Sequence, residues 1–150
     1  MKILVDGSLS WDEMYTEAAH EKHTSFFCNT SDLNVGNYPI VNKKKRFEDI
    51  RILPFKKSYS TYKKQTEEDL KILGFRSAYI EEVFAYAIQK PETQKKFKLI
   101  GLGSEWRSRK TGDILFPFLY VSFLGRYIGL TDLDRRLIEI STTKYLVVKI

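Results

Sequence analysis

The change of pattern at Phe97 is the feature that most restricts the fold of this chain. Before Phe97, apolar side chains recur at helical spacing, as at Trp11, Met14 and Ala18. After it, short apolar and aromatic runs alternate with turn residues, which is typical of β-strands. A length of 150 residues favours one domain and allows a sizeable core. The sequence therefore predicts a single globular α+β domain over residues 1–150, with three or four helices packed on a mostly antiparallel C-terminal β-meander.

Capping residues and apolar faces predict the helices. Ser10 and Glu13 form a capping box, Thr66 is a good N-cap, and Gly74 suits the position after a helix. Ser77 is the predicted cap of the most apolar helix, whose inner face carries Ile80, Val83, Phe84, Ala87 and Ile88. The predicted helices are Trp11–Lys22, Glu67–Leu73, a helix from Ser77 to Gln89, and a short turn Glu92–Lys96.

Short apolar runs bounded by turn residues predict the strands. They lie at Met1–Val5, Phe26–Cys28, Phe47–Leu53, Lys98–Trp106, Asp113–Leu124, Arg126–Leu130, Leu137–Ile140 and Tyr145–Ile150.

The positive charge of the chain is concentrated between Ile40 and Lys64. This stretch holds nine Lys or Arg and two acids, whereas the whole chain carries a net charge of +6. A concentrated positive field attracts polyanions or acidic protein surfaces. The predicted polyanion-contacting residues of this stretch are Lys43, Lys44, Lys45, Arg46, Lys56, Lys57, Lys63 and Lys64.

Aromatic residues lie among these cations, at Tyr38, Phe47, Phe55, Tyr59 and Tyr62. Lysine and arginine neutralise phosphates, and aromatic rings stack on unpaired bases. The combination suits single-stranded nucleic acid better than readout of a duplex groove. The alternative is a solvated loop or edge strand whose lysines discourage aggregation.

A second basic group lies at a predicted hairpin end, from Trp106 to Lys110. Arg107 and Arg109 stand beside a tryptophan there, and arginine suits bidentate contact with phosphate or carboxylate. This group extends the predicted polyanion surface, unless it is an ordinary charged turn.

The sequence offers little for catalysis or cofactor binding. His20 and His23 lie three apart with no second ligand cluster, so two surface histidines are favoured over a zinc site. Cys28 reads as a structural thiol. Gly101 and Gly103 lack the third glycine and following helix of a dinucleotide loop, and favour a bulge or a close backbone approach. We therefore predict no cofactor, no metal and no catalytic residues, although an enzyme with dispersed catalytic residues remains an alternative.

The cysteine count and the hydropathy of the chain indicate where in the cell the protein is located. A single cysteine excludes an intrachain disulfide framework, and no apolar run is long enough for a spanning helix. The N-terminus does not have the pattern of a signal peptide. These features predict a cytoplasmic protein without membrane contact.

Residues 99–149 resemble the end segment of bacterial C-type-lectin-like display domains of the kind targeted by diversity-generating retroelements. The resemblance rests on short motifs, LIGLGSEW at 99–106, FPFL at 116–119, RYIGL at 126–130 and YLVVK at 145–149, with Gly112 between the first two. It implies a binding module rather than an enzyme, and it assigns no site residues.

The sequence as a whole predicts a non-catalytic interaction or accessory protein. Its basic surface would contact nucleic acid or an acidic protein partner. A lectin-like ligand-binding module is the second reading.

Overall fold

The computed structural model describes residues 1–19, 26–28, 30–54, 63–133 and 142–150, without the side chain of Lys63. These residues form an α+β fold. Its helices are α1 (Trp11–Ala19), α2 (Lys63–Ile72), α3 (Ile80–Gln89) and α4 (Pro91–Lys96). Its strands are β1 (Lys2–Asp6), β2 (Phe26–Cys28), β3 (Lys45–Pro54), β4 (Phe75–Ser77), β5 (Lys98–Ile100), β6 (Trp106–Arg107), β7 (Ile114–Ser122), β8 (Gly125–Thr131) and β9 (Thr143–Lys149).

The strands form one mixed sheet in the order β1-β3-β9-β5-β7-β8-β2, with β4 beside β9 and β6 beside β7. Strands β5, β7 and β8 pair antiparallel, as expected for a meander. The last strand departs from that expectation, because β9 lies between β3 and β5 and runs parallel to β5. The predicted C-terminal meander is therefore only part of the sheet, since the N-terminal strands β1 and β3 belong to the same sheet. The predicted strand Leu137–Ile140 lies outside the described residues.

Helix α3 fills the core on one face of the sheet. Its predicted apolar face is confirmed, with Val83, Phe84 and Ala87 fully buried. Its predicted start was wrong: Tyr79 is the N-cap, and Ser77 is instead the last residue of β4, paired with Val147. Sheet pairing of Ser77 outweighs its intrinsic preference for a cap.

Helix α1 packs on the same face of the sheet, beside α3. The predicted capping box is confirmed: the Glu13 amide donates to Ser10 Oγ at 3.2 Å, and the Ser10 amide donates to Glu13 Oε2 at 2.7 Å. Met14 and Ala18 are buried, as the helical spacing indicates. The predicted continuation to Lys22 lies outside the described residues.

Helix α2 contributes to a second core cluster, which joins Leu70 to Tyr145 and Val147. The helix begins before the predicted cap, so that Thr66 is buried within it. Gly74 follows the helix with a φ of 78°, a conformation that favours glycine.

A buried arginine ties the helices to the sheet. Arg126 of β8 is fully buried, and its guanidinium donates to the carbonyl of Ala18 at 2.8 Å and to that of Ala87 at 3.0 Å. Ala87 lies in the last turn of α3, where helices leave acceptors without intrahelical partners, and Ala18 lies near the end of the described part of α1. Arg126 therefore joins both helices to the sheet with one side chain.

Side chains of two helices also form hydrogen bonds with the backbone of the two outer strands of the sheet. The Gln89 amide group donates to the carbonyl of Leu4 in β1 and accepts from its N–H. The Tyr15 hydroxyl donates to the carbonyl of Phe26 in β2 and accepts from the N–H of Cys28. Exposed strand edges invite pairing with other chains, so both contacts reduce that hazard.

Candidate polyanion-binding surface

The lysines Lys43, Lys44 and Lys45 lie on a turn that leads into β3, and we call residues 42–45 the basic turn. The Asn42 side chain accepts a hydrogen bond from the Lys44 amide at 3.0 Å, a local bond that favours turns. The chain passes so close to Gly7 that a Cβ atom there would lie 1.9 Å from the Asn42 carbonyl oxygen. The turn therefore rests directly on the backbone that follows β1.

A buried carboxylate fixes the start of the basic turn. Glu81 of α3 accepts from the amides of Asn42 at 3.0 Å and Val41 at 3.4 Å. Its side chain is fully buried, and it also pairs with Arg46 at 3.4 Å. Hydrogen bonds to a charged group are stronger than neutral ones, so Glu81 holds this backbone firmly.

Arg46 fixes the turn from the other side. Its Nη1 donates to the carbonyls of Asn42 at 3.1 Å and Lys44 at 3.3 Å, while Nε binds Glu48 at 2.7 Å. Burial opposes the charged form, but the hydrogen bonds that Arg46 donates to Glu48 and Glu82 outweigh it and raise the pKa of Arg46. The side chain is 15 % exposed. Arg46 therefore holds the backbone that carries the lysines, and its predicted contact with a polyanion stays a prediction.

Glu82 is the centre of the ionic cluster behind the turn. It accepts two hydrogen bonds from Arg76, at 2.6 and 2.8 Å, and one from Arg46 at 2.8 Å. The Tyr79 amide, at the start of α3, donates to it as well. Burial disfavours the Arg76 cation, but Glu82 more than compensates and raises the pKa of Arg76.

The lysines of the basic turn point to solvent. Lys43 and Lys44 are exposed, and within the described residues neither has a carboxylate partner. Lys45 pairs with Asp6 at 3.3 Å but keeps 62 % of its side chain exposed. The Ser8 hydroxyl, followed by Lys45, holds the pKa of Asp6 below its ordinary value. The turn thus presents two free ammonium groups and one that is shared.

An exposed aromatic side chain lies next to the basic turn. Phe47 is 69 % exposed on β3 and lies opposite Leu4 of β1. Alternation along the strand places Phe47 on the same face as Lys45 and Arg51. We call this area, with Leu4, the open face. It combines a stacking surface with neighbouring cations.

Acidic residues reduce the charge at the far end of the open face. Arg51 binds Asp49 through Nε at 2.8 Å and Nη2 at 2.9 Å, and the N-terminal ammonium binds the same carboxylate. The Arg51 hydrogen bond and then the N-terminal ammonium lower the pKa of Asp49 well below its ordinary value. Arg51 and the N-terminal ammonium therefore share one carboxylate at this end, whereas Lys43 and Lys44 at the basic turn have none among the described residues.

Tyr38 does not belong to this surface, in contrast to its place in the predicted aromatic set. It is fully buried, and its hydroxyl donates to the carbonyl of Leu115 at 2.9 Å. Burial, followed by the charges of Asp32 and Glu105, raises the pKa of Tyr38. Its role is to join the loop before the basic turn to the start of β7. Phe55, Tyr59 and Tyr62 lie outside the described residues.

The second basic group lies at the same end of the sheet as the basic turn. Strands β3, β9, β5 and β7 are successive neighbours in the sheet. β3 and β9 are antiparallel, β9 and β5 are parallel, and β5 and β7 are antiparallel, so β3 and β7 begin at the same end of the sheet. Three strand spacings, about 14 Å, separate β3 from β7, and the register places Ile114 four residue steps, roughly 13 Å, further along the strand direction than Lys45. Arg107 and Arg109 are exposed beside β7, and Arg107 donates to the carbonyl of Gly112 at 2.7 Å. The two groups can thus face one extended ligand.

The remaining predicted cations lie elsewhere or outside the description. Lys64 is exposed on α2, whose residue Thr66 lines a small apolar pocket with Pro54 at the far end of β3. Nine residue steps along the strand, roughly 30 Å, separate that end from Lys45. The structure therefore does not bring Lys64 to the basic turn. Lys56, Lys57 and the side chain of Lys63 lie outside the described residues.

An open groove of about 930 Å³ adjoins the basic turn. Its floor is apolar and includes Leu9, Leu33 and Ile40, while Asp12 and Lys43 stand on its rim. The Trp11 indole donates to the carbonyl of Tyr38 at 3.0 Å and so joins the two walls. It is larger than the cavities beside β1, α2 and β4, which have volumes of about 170, 110 and 410 Å³.

The other sequence candidates have structural roles or lie outside the description. The Cys28 thiol donates to the carbonyl of Thr30 at 3.2 Å, and His20 and His23 are outside the described residues. A close backbone approach at Gly103 is confirmed, since a Cβ atom there would lie 2.6 Å from the Ala78 carbonyl oxygen.

In the described part of the chain, no group of three or more His, Cys, Asp or Glu is arranged to hold a metal ion. None of the described helices combines the length and apolar character needed to cross a bilayer.

Comparison of the chain with protein-family descriptions, curated proteins and solved structures found no match. The resemblance of residues 99–149 to lectin-like display domains stays a prediction. Most of the 131–143 stretch, where such a module would present its ligand-binding edge, lies outside the described residues.

Proposed function

We propose that this protein is a non-catalytic binding module whose basic turn and open face contact single-stranded nucleic acid. The observation that carries the proposal is the exposure of Lys43 and Lys44 on a turn of fixed backbone, four and three residues before the exposed ring of Phe47. Both lysines are free of carboxylate partners within the described residues, although a buried ionic cluster lies directly behind them.

Preorganisation favours a binding role for the turn. A flexible loop loses conformational entropy when it binds, and that loss weakens affinity. Here Glu81, Arg46 and Asn42 already fix the backbone of the turn. Its lysines can therefore neutralise phosphates without first ordering the loop that carries them.

The open face favours a single strand over a duplex. Phe47 lies on an exposed sheet surface, where an unpaired base can reach its ring, whereas bases of a duplex are stacked on each other. Leu4 lies opposite Phe47 and adds apolar contact area. Base stacking tolerates different sequences, so this part of the surface predicts affinity with little sequence preference.

Charge reversal at the basic turn tests this proposal. We expect Lys43→Glu with Lys44→Glu to weaken binding of a fluorescein-labelled eight-nucleotide poly-uridine RNA by about 30-fold or more, because two phosphate contacts are lost and two repulsions arise. Phe47→Ala should weaken it by about 5- to 100-fold through lost stacking. Fluorescence anisotropy at fixed salt measures both effects.

A matched control separates the turn from net charge alone. Lys64→Glu with Lys71→Glu changes the charge equally on α2, remote from the turn, and we expect less than a threefold loss. Equal losses in the two double variants would contradict a defined surface. Tight binding of an acidic peptide together with no binding of RNA would replace nucleic acid by an acidic protein partner.

A further inference from the structure

The groove beside the basic turn is lined by two exposed residues of opposite charge. One is Asp12, in the first turn of α1, and the other is Lys43. Each is exposed and lacks an ionic partner among the residues that the structure describes. A ligand that fits has an anionic end at Lys43, an apolar flat body over the floor, and hydrogen-bond donors toward Asp12.

The other polar side chains at the groove are already engaged. Glu13 accepts from the Ser10 amide in the capping box. Asn34 donates to the carbonyls of Ser31 and Asp32 and accepts from the Asn37 amide. Asp12 therefore keeps both carboxylate oxygens free of partners among the described residues, whereas one oxygen of Glu13 is engaged.

The size of the groove suits a nucleotide. Its volume of about 930 Å³ lies within the ordinary range of small-molecule sites, about 300–1,000 Å³. Leu33 is buried at the floor, and Leu9 and Ile40 are partly buried beside it. These side chains offer an apolar surface to the face of a base.

We infer that this groove receives an unstacked guanine base of the bound single strand, with the guanine Watson–Crick edge at Asp12 and the flanking phosphate at Lys43. Guanine presents two adjacent donors, N1–H and the N2 amino group, which match the two oxygens of one carboxylate. Adenine, cytosine and uracil place a carbonyl or ring-nitrogen acceptor beside their donor, and a carboxylate repels that acceptor. The inference rests on the proposed function and adds a base preference to it.

A single guanine in a uridine strand tests the inference. We expect the wild-type protein to bind an eight-nucleotide RNA of uridine with one central guanine about tenfold more tightly than the all-uridine strand. Asp12→Asn should reduce this preference to less than twofold. The same variant should leave binding of the all-uridine strand unchanged or slightly tighter, because it removes a negative charge near the phosphates. Replacing the guanine by inosine, which lacks the N2 amino group, should also remove most of the preference.

The outcomes separate this inference from the proposed function. If the all-uridine strand binds and Lys43→Glu with Lys44→Glu weakens it, but guanine gives no advantage, the inference alone is overturned. An equal gain for both strands in Asp12→Asn would show that Asp12 only repels phosphate, and would overturn the inference as well. Failure of both strands to bind would overturn the proposed function and the inference together. Thermal melting of Asp12→Asn checks that this exposed substitution leaves the fold intact.

Discussion

Replacing Arg126 by methionine is expected to lower the free energy of unfolding by roughly 2–6 kcal/mol. The substitution leaves the buried carbonyls of Ala18 and Ala87 without their donor, and each unsatisfied group costs about 1–3 kcal/mol. A domain of this size is stable by only about 5–15 kcal/mol, so this loss is a large fraction of the total. Urea denaturation followed by circular dichroism measures the change.

The control for this prediction is Arg109→Met, which removes the same charge from an exposed position. Surface substitutions of this kind usually change stability by less than about 0.5 kcal/mol. If Arg126→Met were as stable as Arg109→Met, the role of Arg126 in joining α1 and α3 to the sheet would be refuted.

Replacing Glu82 by alanine is expected to cost about 3–5 kcal/mol of stability. Removing one partner of a buried ion pair leaves the other charge uncompensated, and here Arg46 and Arg76 both lose their shortest contacts to a buried carboxylate. Glu82→Gln keeps the shape and one acceptor oxygen, so its loss should be smaller than that of Glu82→Ala. The order of the denaturation midpoints therefore tests charge separately from packing.

Glu92→Ala provides the matched control, because Glu92 is an exposed helical glutamate whose Lys95 partner is also partly exposed. Exposed pairs contribute about 0–1 kcal/mol, so this variant should remain near wild type. A loss in Glu82→Ala no larger than in Glu92→Ala would mean that the cluster behind the basic turn contributes little to the fold.

Local patterns in the sequence predicted those features that depend on neighbours along the chain. The Ser10–Glu13 capping box, the apolar face of α3 and the turn at Gly74 are set by residues three or four positions apart, and each is present in the structure. Strand β3 was likewise predicted within two residues of its bounds.

Features that depend on distant residues were not predictable in the same way. Glu81 and Glu82 look like ordinary first-turn acids of a helix, and only the fold places Arg46 and Arg76 against them. The one available signal was that two acids interrupt an otherwise apolar helix. Tyr38 was wrongly predicted as a surface aromatic because it lies close to the lysines in sequence, whereas its contacts lie at Trp11 and β7.

The sequence therefore predicted where the candidate site lies along the chain, but not which contacts hold its residues in place. The charge count identified the basic turn, and the structure leaves Lys43 and Lys44 exposed there. It also shows Arg46 bonded to the backbone of the turn, and it places Lys64 away from the turn. The nature of the ligand stays a prediction.

The salt dependence of RNA binding tests the central claim most directly. For single strands, the logarithm of the association constant falls with the logarithm of salt concentration by about 0.7 for each phosphate neutralised. Wild-type protein with the all-uridine strand should give a slope near −2 if the three lysines of the basic turn each contact a phosphate. Lys43→Gln with Lys44→Gln should make the slope shallower by about 1.4, whereas an unchanged slope in that variant would contradict contact between the basic turn and the nucleic acid.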